Sequence, residues 1–198
     1  MRRPRITTLQ SIAAHDVTGE PVPSRRLTAQ RVSRAIARIF NDTDLCAIAT
    51  IGADGRAHVN TAYFAWSPRL ALYFLSHPNA RHCGSLRANP SAAIAVFDSS
   101  QQWGGLDRGL QLFGTCRETR GAAAREAAQV YSRRFKPYAA WTRDLAADDA
   151  APEYRFYRFS TNHLKLFDER EFGSAIFVTA TVRARQRRIS ARRRARRD

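Results

Sequence analysis

Three apolar runs, "LCAIATI" (45–51), "RAHVNTAYFAW" (56–66) and "LALYFLS" (70–76), are joined only by Gly52-Ala53-Asp54-Gly55 and Ser67-Pro68-Arg69. Runs of that length, rich in β-branched and aromatic residues, read as strands, and the Gly- and Pro-bearing links read as reversals. A parallel pair needs a crossover of a dozen or more residues. Links this short therefore demand antiparallel neighbours, and three successive antiparallel strands limit what the rest of the chain can build.

The flanking segments extend that pattern. Thr28 is placed to cap a helix whose apolar face is Val32, Ala35, Ile36, Ile39 and Phe40, and "NDTD" ends it. After the third strand, Asn79 is a candidate cap for a short helix, "ARHCGSLRA", that stops before Pro90. "SAAIAVF" (91–97) reads as a fourth strand, "DSSQQWGGLDRG" (98–109) as a polar loop and "LQLFGTCRET" (110–119) as a fifth strand. A helix is expected over 122–135, with Ala124, Ala127, Ala128, Tyr131 and Phe135 near one stripe. "KPYAAWTRDLAADDAAP" reads as a loop with a turn or two of helix. "EYRFYRFS" and "HLKLFD" read as a closing hairpin about Thr161-Asn162, and "SAIFVTATV" as one more strand. Six or seven strands with three helices predict an α+β fold: a mainly β, small antiparallel barrel with flanking helices. No glycine-rich dinucleotide or phosphate loop is present.

Composition bounds the partners. The 198 residues, 44% hydrophobic, suit one domain with a sizeable core. No apolar segment reaches the roughly 18 residues of a membrane span, and Met1-Arg2-Arg3 is not followed by a hydrophobic signal core. A cytoplasmic protein without membrane contact is expected. The net charge of +16 is uneven: residues 181–198 hold nine arginines against one aspartate. This divides the chain into an N-terminal arm (1–27), a folded domain (28–180) and a basic tail (181–198) too poor in apolar residues to fold alone. The tail can touch nucleic acid nonspecifically, but the charge does not continue as a clear patch over the domain, and the function is expected elsewhere. Cys46, Cys83 and Cys116 lack disulfide or zinc spacing, as do the histidines, so no metal site is expected.

The segment "HPNARHCGSLRANP" carries the most chemistry. Together with "LYFLS" before it, "SAAIAVF" after it, the later "LQLFGTC" and "YSRRF", and the final "YRFSTNHLKLFD", it resembles the FMN-binding split barrel of the pyridoxamine 5′-phosphate oxidase-like superfamily. The resemblance spans about residues 30–175. It implies a split β-barrel, FMN as cofactor, and a homodimer with flavin sites at the subunit interface.

The resemblance also assigns residues. The FMN phosphate is expected against Ser76, Arg81 and His82: a hydroxyl, a guanidinium and an imidazole at a helix start suit an anion. Asn60 and Thr61 fall on the strand used against the flavin. Being adjacent, their side chains face opposite sides, and the Asn60 amide can offer both donors and an acceptor. Gln111 on the fifth strand and Trp103 in the glycine-flanked loop are further cofactor candidates. No residue is singled out as a catalytic acid or base. Where the vitamin-processing oxidases carry Arg and Lys on the second strand, this chain has Asn60 and Ala65. The terminal Trp-Arg-x-Arg-Leu type of signature is also missing, so pyridoxamine phosphate is not the expected substrate. The implied function is FMN-dependent oxidation or reduction of another small molecule. A noncatalytic flavin-binding module, or a barrel using deazaflavin or heme, are the alternatives.

Overall fold

The computed structural model describes residues 6, 8–23, 27–147 and 153–183. The expected hairpin is present: β2 (Leu45–Ile51) and β3 (Ala57–Tyr63) pair in register from Ile51↔Ala57 to Leu45↔Tyr63. Gly55 turns the chain with a positive φ of 74°, a conformation that costs glycine little. The third strand departs from expectation. After Tyr63 the chain turns Phe64 into the core, edge-on to Phe40 at 5.5 Å. The two-residue β4 (Ala65–Trp66) then pairs with β5 (Ala71–Ser76), and β5 runs on beside β8 (Arg155–Asp168) rather than β3.

The nine strands of the described residues form one antiparallel sheet, seven of them in the order β1-β9-β8-β7-β6-β2-β3, with β5 branching from β8 and carrying β4. Its remaining members are β1 (Leu9–His15), β6 (Ser91–Phe97), β7 (Arg108–Glu118) and β9 (Phe177–Val182). β1 comes from the stretch read as an arm, and pairs with β9. The expected barrel is not closed. β3 pairs only with β2, and β5 only with β4 and β8. The short helix α2 (Arg81–Ala88) packs against β3 and reaches β5 through a side-chain hydrogen bond, bridging strands that would have to pair to complete a barrel.

Two further expectations are corrected. The hairpin at Thr161-Asn162 is absent, because β8 continues through it as a single 14-residue strand. Asn162 is instead the extra residue of a bulge: Phe113 pairs with His163 and Gly114 with Thr161. Gly114 permits this. A Cβ there would stand 2.0 Å from the Ser160 carbonyl oxygen. The loop after residue 135 is also more ordered than expected, since α3 (Ala122–Arg134) is followed at once by α4 (Lys136–Ala147).

α1 (Ala29–Asp42) buries Val32, Ala35, Ile36, Ile39 and Phe40 against the sheet, as their three- and four-residue spacing predicts. Thr28 caps it, accepting from the Arg31 amide at 3.2 Å. A second apolar cluster lies on the other face of β4, β5 and β8, where α3 packs Ala127 and Tyr131 against Tyr73 and Phe156. α5 (Glu169–Phe172) follows β8 and is capped by Asp168. No helix among the described residues is long and apolar enough to cross a membrane.

Candidate functional site

Ser76 ends β5 on the core side, continuing the row of Leu72 and Phe74. Five residues on, Arg81 opens α2 and His82 follows it. The Ser76 hydroxyl and His82 Nε2 share a 2.7 Å hydrogen bond. This local geometry comes from a turn, with the Ala80 amide donating to the His77 carbonyl. Asn79 is not the cap: its amide is taken by His77 Nδ1, and Ala80 occupies the N-cap position with no side-chain acceptor. The first turn of α2 therefore presents amides that its cap does not satisfy.

His82 is half-buried, and burial lowers its pKa below 6.5, with His58 adding a further push in the same direction. The electrostatic contact brings in a residue that sequence reasoning left unassigned. His58 lies two positions before Asn60, so strand alternation puts the two on one side of β3. The signal was therefore legible, but only once β3 was known to pack against α2. Asn60 Oδ1 is buried without a hydrogen-bond partner, an acceptor left for a donor that the described residues do not supply. Arg81 is exposed.

The other candidates lie elsewhere. Thr61 is exposed on the opposite face of β3 from Asn60, as expected. Gln111 shares that outer face, because one register row runs Thr61–Ala47–Ala95–Gln111–Lys165 across β3, β2, β6, β7 and β8. Three strand spacings separate Thr61 from Gln111, about 14 Å. Gln111 lines a cavity of about 380 Å³ with Ala95, Phe97, Arg108, Lys165 and Phe177. Lys165 Nζ stands 3.9 Å over the Phe177 ring, whereas Arg108 is held by Asp42 at 2.7 Å. Trp103 is fully exposed, in the loop between β6 and β7. A single chain thus brings Ser76 and His82 together, with Asn60 on the strand beside them, and sets Gln111 and Thr61 on the far face of the sheet.

The three thiols carry no comparable chemistry. Cys46, Cys83 and Cys116 are free and buried, and desolvation raises the Cys46 pKa to about 12. A thiol so placed is not a nucleophile at neutral pH.

The order of strands around α2 and the Ala88-Asn89-Pro90 entry to β6 have a counterpart among known families. The model of pyridoxamine 5′-phosphate oxidase matches residues 32–167. This chain belongs to the pyridoxamine 5′-phosphate oxidase-like split-barrel family. No curated protein matches it in sequence. Among solved structures of the same fold is HutZ, the heme storage protein of Vibrio cholerae, at 16% identity and a TM-score of 0.54, covering 66% of this chain and 90% of that one. A heme binding protein from Mycobacterium smegmatis is similar at 15% identity and a TM-score of 0.58, covering 81% and 59%. A Clostridium acetobutylicum protein related to general stress protein 26, of the pyridoxinephosphate oxidase family, is similar at 14% identity and a TM-score of 0.53, covering 74% and 91%. At these identities the likeness is one of fold.

Proposed function

We propose that the protein is an FMN-dependent oxidoreductase acting on a small molecule as a homodimer. The observation that carries this reading is the Ser76–His82 pair at the uncapped start of α2, beside Arg81. A hydroxyl, free first-turn amides and a guanidinium make a site for a phosphate monoester. Asn60 fits the rest of the ligand. Its orphaned Oδ1 needs a donor, which a phosphate does not offer but a ribityl hydroxyl or a ring N–H does.

Where the candidates lie supports the homodimer. Gln111 and its cavity sit on the outer face of the sheet, away from Ser76. One ligand touching both sets draws them from two copies. The outer face also leaves Leu45, Ile51, Val59, Tyr63 and Phe97 exposed, an apolar patch of the kind that marks an interface. Bound FMN supplies two-electron transfer to or from the substrate. The chain's own groups hold the phosphate end, orient the cofactor through Asn60 and Thr61, and wall the ring side with Gln111, Phe97 and Phe177. Trp103 is free to cover that wall.

Heme is the competing occupant, favoured by the heme proteins among the fold relatives and by a second histidine, His58, near enough to His82 to act on it electrostatically. His82 Nε2 is already engaged by Ser76, which argues against its serving as an axial ligand. The absorption spectrum of the purified protein tests the reading. Flavin bands, with FMN released on denaturation, are the expected result, and a Soret band would replace it with heme. Anaerobic bleaching of the flavin by NADH or NADPH is expected of an enzyme; no bleaching by either, or by a panel of small reductants, would make it a passive flavin binder.

A further inference from the structure

We propose that the cavity beside Gly109 is a slot for an aromatic carboxylate, with Lys165 and Gln111 at its polar edge. The inference deepens the proposed function by naming a substrate class, and rests on it for the redox role of the occupant: in the proposed dimer a flavin ring borders this cavity. The binding itself depends on residues of the slot alone.

Register builds the slot. One row across β6, β7, β8 and β9 reads Phe97–Gly109–Phe167–Phe177. Phe167 and Phe177 stack at 4.8 Å and make one wall. Phe97, which is exposed, makes the other. Gly109 stands between them without a side chain, one strand spacing of about 4.8 Å from either. A flat ring laid on its backbone lies within the range at which aromatic rings attract one another. The fold itself does not ask for glycine here. Its φ is not positive, and a Cβ would meet only Phe97 Cβ at 3.7 Å and the Val96 carbonyl oxygen at 3.8 Å, both on the adjacent strand. Glycine weakens a strand, and its use in one often marks the close approach of a ligand or of another backbone. No backbone of the described residues covers Gly109, which leaves the ligand.

A cation stands next to the ring position. The adjoining row is Ala95–Gln111–Lys165, on the same face as Gly109, and these residues line the same cavity. Lys165 Nζ lies 3.9 Å over the Phe177 ring, which covers one side of the ammonium. None of the ion pairs of the described residues includes it. Arg108, by contrast, is held by Asp42 at 2.7 Å and Asp98 at 3.9 Å. Asp107 also lines the cavity, but it precedes Gln111 by four residues, about 13 Å along the chain. One open ammonium beside one side-chain amide matches a carboxylate, whereas a phosphate dianion asks for more positive charge. Gln111 lies two residues on from Gly109, about 7 Å along the strand, a span that a short unsaturated arm between ring and carboxylate covers.

Cinnamate and its neutral amide, cinnamamide, titrated by calorimetry into the full chain as purified, test this. The acid is expected to bind about tenfold more tightly than the amide, the low end for a charged hydrogen bond because Lys165 is only half-buried. Lys165→Met should abolish that preference and leave the amide's affinity unchanged. Gly109→Val, which puts a branched side chain in the slot, should weaken both ligands at least about tenfold while the thermal midpoint is kept. Should Gly109→Val not fold, the Lys165→Met comparison decides alone. No saturable binding of the acid, equal affinity for acid and amide, a preference that survives Lys165→Met, or binding undisturbed by a folded Gly109→Val overturns the slot. A flavin-bearing chain that fails these tests loses the slot and keeps the proposed function. A chain that passes them without any flavin keeps the slot and loses the cofactor reading.

Discussion

At the scale of single residues, Gly114 and His82 show constraints of different kinds. Gly114→Ala would drive a methyl group to 2.0 Å from the Ser160 carbonyl oxygen, and backbone cannot yield as a side-chain tip does. A loss of about 1–3 kcal/mol is expected, read as a drop in thermal midpoint of about 2–4 °C for each kcal/mol. His82 is a matter of protonation. Its pKa is depressed by burial and by His58, so the unfolded chain binds its proton more readily than the folded one. The sign follows: the neutral ring suits the fold above pH 6.5, and that stability is lost as the pH falls through the lower folded value. The melting temperature of the flavin-free protein should therefore fall between about pH 7.5 and 5.5, and fall less in His82→Gln. Parallel profiles for the two proteins would mean that His82 titrates as an ordinary exposed histidine.

At the scale of elements, two non-local contacts tie α1 to the end of β8 and α5, and the edge strand β1 to β9. Glu171 of α5 accepts from Arg31 Nε at 2.6 Å and from Arg38, both on α1, and Arg38 also reaches Asp168 at 3.4 Å. Burial pushes the Glu171 pKa up, but Arg38 and Arg31 more than reverse this and leave it lowered. Its stabilisation is thus complete above the ordinary value of 4.5 and disappears as the pH falls through the lower folded value. Because both arginines are partly exposed, we expect Glu171→Gln to cost only about 1 kcal/mol at pH 7 and to flatten the acid limb of the denaturation profile measured by urea titration. The other contact is β1 on β9, which continues to Arg183, whose amide donates to the Thr8 carbonyl at 2.8 Å. Truncation after Arg183 should leave the thermal midpoint unchanged, since residues 184–198 are mostly arginine. Truncation after Phe177 removes five of the six β9 residues and should lower it by several degrees. The last residues of β9 begin the segment read as the tail, and the basic stretch beyond 183 lies outside the described residues.

At the scale of the whole molecule, the proposed dimer would bury the outer face of the sheet. Ala93 lies on it between β2 and β7, opposite Ala49 and Phe113, in the middle of the patch that exposes Val59 and Phe97. An arginine there would be costly to bury against a second copy and cheap to leave in water. Ala93→Arg is therefore expected to convert a dimer to a monomer in sedimentation velocity and to remove FMN together with the association, while far-UV circular dichroism stays that of the native sheet. A variant that stays dimeric, or a monomer that keeps its FMN, would show that the cofactor site does not draw on this face.

Much of the architecture was legible in local order. The α1 stripe from Val32 to Phe40, the Gly52–Gly55 hairpin, the helix at Arg81 and the alternation that separates Asn60 from Thr61 all depend on neighbours within a few residues. Their periodicity is written in the chain. The family resemblance set Ser76 and His82 against one ligand, and the short turn between them brings the two side chains to 2.7 Å. It failed where the outcome depended on distant chain. Thr161-Asn162 looks like a turn by composition, but Gly114 on a neighbouring strand lets it become a bulge. β5 looks like a partner for β3, but Phe64 is drawn into the core by Phe40, and the strand continues beside β8. Gly109 likewise gained its place between Phe97 and Phe167 by strand pairing. Local propensity sets which segments become strands and helices, whereas burial of side chains against remote partners chooses which strand edges meet, and so which residues share a site.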